Sequence, residues 1–251
     1  MIKTLQQHLD DLAQLDHVFG FNPAEVMQGT DEWKMMRLGV VTASMAECLV
    51  SKKPRSKGKE YGVDFLPAKA GDSKRDTFMK KLVAQVCTRQ IPPEVTAKAL
   101  AWGKDNEPFA RDAYSAATFN VIDELPFIYK DSSMRFGISP DGLVGDDGGL
   151  ELKCPHDSSV FVAFMCEDEI KNEYLHQCQF SMWVTGREYW DFANFDPRMK
   201  GGAKKLHYVR QERDPKAMEL FDISSELFIA DMNKMLKKAG VSFGDQWKPV
   251  D

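Results

Sequence analysis

The stretch SPDGLVGDDGGLELKCP, from Ser139 to Pro155, restricts the fold more than any other part of the sequence. Its centre, Asp146–Gly149, consists of residues that favour tight turns, so the flanking segments are predicted to be two neighbouring strands. Side chains two apart on a strand project from the same face, which places Glu151 and Lys153 together. Asp141, on the first strand, can then approach them in space.

The chain has helical periodicity up to about Asn120, alternates from there through this stretch, and has mixed periodicity after it. Helices are predicted over Thr4–Val18, Asp31–Val50 (two short helices separated by Gly39), Asp72–Gln90, Glu94–Phe119, Asp157–Ile170 and Glu173–Val184. Alternation predicts an antiparallel meander of strands from Asn120 to Cys154, and further strands over Glu188–Phe195 and Leu206–Gln211. A last helix is predicted after Asp214 and Pro215, ending at Gly240, with Leu220, Ile223 and Leu227 in its apolar stripe. The expected class is α/β (α+β), with a central mixed β-sheet flanked by helices.

Composition narrows the class of protein. The 251 residues, 43% of them hydrophobic, can bury a large core, and we expect one domain spanning 1–251, with an amino-terminal helical extension over 1–30. The five cysteines are odd in number and form no C-x-x-C pair, which argues against a disulfide framework or a zinc ribbon and favours a reducing cytoplasm. No signal peptide and no membrane span are expected.

The net charge of −5 argues against a protein that coats nucleic acid. A local basic segment, KKPRSKGK, lies within the loop predicted over 51–60. Taken alone, this segment is typical of a solvated loop. Beside a carboxylate-rich site, it is typical of a surface that holds a polyanion.

Carboxylates that converge, as Asp141 and Glu151 are expected to do, repel each other unless a cation lies between them. Oxygen ligands without histidine or thiolate favour Mg²⁺, with Mn²⁺ as a substitute. Lys153 adds a positive charge that can orient the attacking water and stabilise a phosphorane-like transition state. The pattern leaves a second interpretation open, in which Asp141 belongs to a Pro-Asp-Gly turn and Glu151 and Lys153 are an exposed strand pair. It also leaves the general base undetermined.

Several ordered motifs together carry a resemblance to a known family. They are WKMMRLGVVTAS (Trp33 to Ser44), EVTAKALAWGKDNE (Glu94 to Glu107), SPDGL…GLELKCP, QFSMWVT (Gln179 to Thr185) and FGDQW (Phe243 to Trp247). The chain resembles the phage lambda exonuclease family, or YqaJ-like viral recombinases, within the restriction-endonuclease-like PD-(D/E)XK superfamily. The resemblance extends from about Trp33 to Trp247 and implies a restriction-endonuclease-like core.

The resemblance implies a role for each matching residue of the centre. Asp141, Glu151 and the backbone carbonyl of Leu152 match ligands of Mg²⁺, in a site of the two-metal type, and Lys153 matches the catalytic lysine. Glu107 matches a further metal-binding acid, although by itself it would be a solvated helix charge. Gln177 matches a glutamine that lies near the metal without binding it.

The resemblance also implies contacts to DNA. Arg37 and Ser44, with Ser139 as a companion, match residues that bind the 5′-terminal phosphate, for which guanidinium and hydroxyl groups are suited. The alternatives for the first two are a surface arginine and a helix cap. Three further positions match DNA contacts, namely Leu100 as an apolar wedge, Arg55 in the minor groove, and Lys59. Where the family has an arginine after K-C-P, this chain has His156 to Ser159, so one contact is lost or moved.

The implied function is a Mg²⁺-dependent, processive 5′→3′ exonuclease on linear double-stranded DNA with 5′-phosphorylated ends. Its products would be mononucleotides and 3′ single-stranded tails for recombination by strand annealing. The family further implies a homotrimer ring, a single-strand annealing protein as partner, and a phage or prophage origin with a place in the bacterial cytoplasm. One alternative is a PD-(D/E)XK endonuclease that cuts internally. The other is a non-catalytic DNA-binding recombination scaffold.

Overall fold

The computed structural model describes residues 2–53, 58, 60–93 and 98–249. Its helices are α1 (Leu5–Ala13), α2 (Asp16–Phe19), α3 (Asp31–Met36), α4 (Ser73–Thr88), α5 (Lys98–Thr118), α6 (Ser158–Glu167), α7 (Asn172–Thr185) and α8 (Pro215–Ala239). Its strands are β1 (Val41–Thr42), β2 (Val50–Lys52), β3 (Phe65–Pro67), β4 (Ile122–Asp123), β5 (Ile128–Tyr129), β6 (Phe136–Ile138), β7 (Gly142–Val144), β8 (Gly148–Lys153), β9 (Tyr189–Phe195) and β10 (Leu206–Glu212). Short 3₁₀ helices cover Pro23–Glu25, Ala43–Leu49 and Asp245–Trp247.

The central sheet has five strands in the order β10-β9-β8-β7-β4. Strands β8 and β9 run parallel, and the other neighbours are antiparallel. A parallel pair needs a long crossover connection, which α6 and α7 provide. Almost every residue of β8 and β9 is buried, as expected for strands covered on both faces. The mixed sheet with flanking helices confirms the expected α/β (α+β) class.

The predicted antiparallel meander from Asn120 to Cys154 is wrong in its pairing. Strands β5 and β6 leave the central sheet and form a separate three-stranded sheet in the order β1-β6-β5. Strand β8 pairs with β7 as expected, but its other neighbour is the distant β9. Alternation indicates that a segment is extended, whereas the choice of partner depends on contacts far apart in the chain.

Two helix predictions in the first fifty residues also need correction. The segment predicted as one helix over Thr4–Val18 is divided into α1 and α2, and α2 ends at Gly20 in the left-handed conformation (φ +76°). The second helix, expected to begin near Thr42 or Ser44, does begin there, but it is the 3₁₀ helix Ala43–Leu49 and the short strand β1 precedes it. The β-branched Val41 lies fully buried opposite Phe136 of β6, where a strand satisfies its backbone.

The last helix begins and ends where the sequence predicts. The Asp214 carboxylate accepts a hydrogen bond from the backbone N–H of Lys216 (2.7 Å), and Gly240 closes the helix at φ +77°. Its predicted apolar stripe is partly wrong, because Ile223 and Leu227 are 45% and 41% exposed. The buried stripe consists of Ala217, Leu220, Phe221, Phe228, Met232 and Leu236.

The two ends of the described chain meet in one apolar cluster. Leu12 and Phe19 of the amino-terminal helices lie in it with Trp247, whose ring is 5.4 Å from that of Phe19. The extension therefore packs on the body of the protein through its apolar face. Within the described residues, no helix has both the length and the apolar content needed to cross a membrane.

Candidate active site

The β7–β8 hairpin brings the predicted acidic residues together. Gly142 pairs with Leu150, so Asp141 lies one position beyond this pair, beside Glu151. The Asp141 Oδ2 atom accepts a hydrogen bond of 2.6 Å from the backbone N–H of Leu152. This bond fixes the Asp141 carboxylate against β8, on the side where Glu151 projects.

Glu151 is 4% exposed and has two side-chain donors. Its Oε1 atom accepts hydrogen bonds from Lys153 Nζ (2.5 Å) and from Gln177 Nε2 of helix α7 (2.7 Å). The amide of Gln177 thus reaches the carboxylate from the helix that crosses over between β8 and β9.

The protonation equilibria of this cluster are strongly perturbed. Burial, and then the Glu151 carboxylate, raise the pKa of Asp141 to about 7. Burial, and then Asp141, also raise the pKa of Glu107. Burial lowers the pKa of Lys153, but the nearby carboxylates outweigh this effect and the net shift is upward, so its ammonium form is favoured. Acidic groups whose pKa is raised by burial and by a neighbouring carboxylate are typical of functional sites.

Glu107 lies on helix α5 and is linked to Asp141 by the side chain of Arg111, which the sequence analysis did not identify. Arg111, one helical turn further on, donates from Nη2 to Glu107 Oε1 (2.8 Å) and from Nε to the backbone carbonyl of Asp141 (2.9 Å). Its Nη1 lies 3.1 Å from Glu124 Oε2. The acid-to-arginine spacing of four on a predicted helix was the available signal.

The donor set fits a hard divalent cation. Asp141, Glu151 and Glu107 each have one carboxylate oxygen hydrogen-bonded by the protein, and no described residue donates to the other oxygen. Oxygens left over in this way, without histidine or thiolate nearby, suit Mg²⁺ or Mn²⁺. The three carboxylates do not, however, form a compact three-ligand cluster among the described residues. A site built on Asp141 and Glu151 therefore needs backbone or water oxygens as well.

The residues predicted to bind a 5′-phosphate lie around a second position. Arg37 follows α3, stacks its guanidinium 4.0 Å from the ring centre of Trp33, and donates to Ser139 Oγ (3.0 Å). Trp33 Nε1 donates to the same oxygen (3.0 Å). Arg37 and the exposed Ser44 line one groove of about 390 Å³, which Lys81 also lines. Sequence reasoning did not single out Lys81 or the side-chain contacts of Trp33.

Arg37 is a desolvated cation without an acidic partner. Burial lowers its pKa to about 10, and no carboxylate of a described residue forms an ion pair with it. A buried cation without a counter-ion is costly, so an anionic ligand would stabilise it. Ser139 lies two residues before Asp141, so one short segment connects this position to the acidic cluster.

Of the three other residues predicted to contact DNA, the structure describes only Leu100. Leu100 lies near the start of α5 and is 57% exposed, so its side chain is accessible to a ligand. Arg55 and Lys59 fall outside the described residues. Arg198, which follows β9, donates to the backbone carbonyls of Pro155 (3.0 Å) and His156 (2.8 Å). It so holds the segment after β8 in which the expected arginine is missing.

Comparison with known proteins gives one family. Residues 32–188 match the model of the YqaJ-like viral recombinase domain. The chain is also similar to an uncharacterized protein, ExoD, of Escherichia coli strain K12. The two are 47% identical over 81 residues, which are 32% of this chain and 91% of that protein.

The solved structures to which the chain is similar are exonucleases. The alkaline exonuclease LHK-Exo of Laribacter hongkongensis is 28% identical and superimposes with a TM-score of 0.69 over 84% of this chain and 96% of its own. Its complex with dAMP gives 29% identity and a TM-score of 0.68, over 84% and 98%. A phage-related exonuclease of Haemophilus somnus 129PT shares the fold, with 12% identity and a TM-score of 0.59 over 79% and 96%.

Proposed function

The chain belongs to the YqaJ-like viral recombinase family and is a DNA exonuclease, and from this premise we propose that it degrades linear duplex DNA from 5′-phosphorylated ends in a Mg²⁺-dependent 5′→3′ reaction. The products would be mononucleotides and a 3′ single-stranded tail. The observation that carries the proposal is that one short segment, Ser139 to Asp141, connects the groove of Arg37 to the acidic cluster. Ser139 accepts a hydrogen bond from Arg37, and Asp141, two residues later, lies in the acidic cluster.

In the proposed site, Asp141, Glu151 and the backbone carbonyl of Leu152 hold Mg²⁺, and Glu107 contributes a further carboxylate in a site of the two-metal type. The cation, when bound, supplies a Lewis acid for the phosphoryl oxygens and lowers the pKa of water. Support comes from the carboxylate oxygens to which no described residue donates and from the raised pKa values of Asp141 and Glu107. Mn²⁺ should substitute, since the ligands are all oxygen.

The other residues of the centre orient and stabilise. The Lys153 ammonium, held 2.5 Å from Glu151 Oε1, can turn towards the scissile phosphate and stabilise the charge that grows in the transition state. Gln177 keeps the Glu151 carboxylate in one orientation through its 2.7 Å hydrogen bond. In this proposal Lys153 is a catalytic residue, and Gln177 is a positioning residue.

Arg37, Ser44 and Ser139 are proposed to bind the terminal 5′-phosphate. The guanidinium supplies charge and paired donors, and the two hydroxyls supply further hydrogen bonds. Leu100, exposed at the start of α5, is proposed to wedge the terminal base pair, with Arg55 and Lys59 as contacts to the duplex. The terminal phosphate would then position the first internucleotide bond beside Asp141.

The oligomeric state, the partner protein and the cellular location are proposed from the resemblance to the family. We extend the proposal to one domain over 1–251, a homotrimer ring around the duplex, a single-strand annealing protein as partner, and action in the bacterial cytoplasm on behalf of a phage or prophage. A closed ring would explain processive digestion, because the enzyme could leave the duplex only at an end.

The function is tested by digesting a 5′-phosphorylated linear duplex, labelled at one end, beside a covalently closed circle of the same sequence in excess Mg²⁺. We expect mononucleotides from the 5′ end, an intact 3′ strand and an intact circle, with no reaction in EDTA. Linearised or nicked circles would show an internal endonuclease instead. Equal results with and without EDTA would support a non-catalytic scaffold.

Replacing Arg37 with Ala should remove the preference for phosphorylated ends. Losing a charge-assisted contact to phosphate costs roughly 1.5–3 kcal/mol, or about a 10- to 150-fold loss in kcat/KM on 5′-phosphate ends. The rate on 5′-hydroxyl ends should change little, because that substrate lacks the contact. The measurement is initial rates on both duplexes, with Arg89→Ala as a control outside the groove. Equal losses on both substrates would contradict the assignment.

A further inference from the structure

Arg111 makes contacts with three parts of the molecule that sequence reasoning did not connect. It lies on α5, its side chain is 15% exposed, and its partners are Glu107 on the same helix, the backbone carbonyl of Asp141 before β7, and Glu124 after β4. We propose that Arg111 is a positioning residue that sets the distance and orientation between Glu107 and Asp141 for metal binding. This inference rests on the function and metal site proposed above.

The shape of the guanidinium explains why these contacts need arginine. Its donors lie in one plane at fixed angles, and here Nε reaches Asp141 O at 2.9 Å while Nη2 reaches Glu107 Oε1 at 2.8 Å. A lysine ammonium is a single point and cannot span both acceptors while it also pairs with Glu124. The Arg111→Lys substitution would therefore keep the charge and lose the bridge.

The contacts leave the metal-facing atoms available. Arg111 takes only Oε1 of Glu107, and no described residue donates to Oε2. At Asp141 it takes the backbone carbonyl, while the side-chain Oδ2 is held by the Leu152 N–H at 2.6 Å. Arginine and the Leu152 amide therefore fix the backbone and the carboxylate of Asp141 from two directions. One oxygen on each acid remains for a cation.

The positive charge of Arg111 raises the question of whether it would repel the ion. Two carboxylates, Glu107 (2.8 Å) and Glu124 (3.1 Å), already pair with it, so the group of three carries a net charge of −1 when ionised. Asp141 and Glu151 add further negative charge next to it. The charge around Arg111 therefore stays negative, and residues that orient metal ligands typically change affinity by roughly 10- to 100-fold.

The test is the affinity for Mn²⁺, measured by isothermal titration calorimetry on the full chain without DNA. Arg111→Lys should weaken binding by about tenfold or more. In digestion assays, the Mg²⁺ concentration for half-maximal rate should rise by a similar factor. The KM for DNA should stay the same, and kcat should return towards wild type at saturating Mg²⁺. Arg111→Gln, which also loses the paired contacts, should show the same loss of Mn²⁺ affinity and takes the place of Arg111→Lys if that variant is poorly folded.

Arg210→Lys is the matched control. Arg210 also pairs through two nitrogens with a buried carboxylate on the central sheet, Asp191, at 2.9 and 3.0 Å, but this acid is outside the proposed site. A purely structural role for Arg111 would lower the melting temperature in both variants and leave both Mn²⁺ affinities at the wild-type value. That result would overturn the inference.

Asp141→Asn, titrated in parallel, separates the inference from its premise. We expect this variant to lose Mn²⁺ binding. If Asp141→Asn binds Mn²⁺ as well as wild type does, the proposed metal site is wrong. If Asp141→Asn loses binding and Arg111→Lys keeps wild-type affinity, the metal site stands and the positioning role of Arg111 is overturned.

Discussion

Replacing Glu151 with Gln is expected to reduce the rate of DNA hydrolysis by at least about a thousandfold, the equivalent of roughly 4 kcal/mol in the activation barrier. Glutamine matches glutamate in size, so the buried position should be filled without a cavity. It removes the charge that would hold the cation, and it removes the counter-charge of Lys153, which is 2.5 Å from Glu151 Oε1. Catalysis should therefore fail while the fold persists.

The measurement is single-turnover digestion of an end-labelled 5′-phosphorylated duplex in saturating Mg²⁺. Asp147→Asn is the matched control, because Asp147 is an acid on the same β7–β8 hairpin but lies exposed in the turn. It should digest DNA at close to the wild-type rate. DNA binding by the Glu151→Gln variant should be retained, as seen by gel shift without a catalytic metal. A variant that keeps more than about a tenth of the wild-type rate would exclude Glu151 as a metal ligand.

Replacing Lys153 with Met is expected to reduce the digestion rate by about a hundred- to a thousandfold, as found when one donor to a developing oxyanion is removed. Methionine keeps most of the length of the side chain and removes its charge. The ammonium is not a metal ligand, so Mn²⁺ affinity should be unchanged or tighter, since a positive charge next to Glu151 and Asp141 is lost. Both variants should therefore lose catalysis, but only Glu151→Gln should also lose the charge that holds the cation.

Digestion kinetics and Mn²⁺ calorimetry on the same preparation check this second prediction. Lys205→Met, at an exposed position outside the site, serves as its control and should change neither quantity. Loss of Mn²⁺ binding in Lys153→Met would show that the lysine maintains the structure of the metal site. Wild-type kinetics would show that the ammonium has no part in catalysis.

Much of the local structure could be predicted because neighbouring residues determine it. The tight connection between β7 and β8 and the side-chain alternation of β8 follow from residues within a few positions of each other. The turn itself occupies residues 145–147, and Gly148 and Gly149, predicted as turn residues, belong to β8. The last helix follows from Asp214 at its start and Gly240 at its end. The mixed fold class followed from the order of helical and alternating segments, and the matched motifs added the family because several ordered strings agreed at once.

Pairing across the sheet could not be predicted in this way. Strand β1 pairs with β6, and β8 pairs with β9, across separations of dozens of residues. The local sequence indicates that Val41 and Phe136 lie in apolar, extended segments, but it does not show that they are opposite each other in a sheet. For the same reason, the exposed Ile223 and Leu227 fit the helical stripe of α8 and still lie outside the core.

The sequence alone therefore determined which chemical groups this protein has and how the hairpin that carries Asp141, Glu151 and Lys153 is built. Only the tertiary structure decided which distant groups meet them. It brings Arg37 and Trp33 to Ser139, and it places Arg111 between Glu107 and the backbone of Asp141. The physical reason is that such contacts form when a whole core packs around them, so their free energy depends on many residues at once.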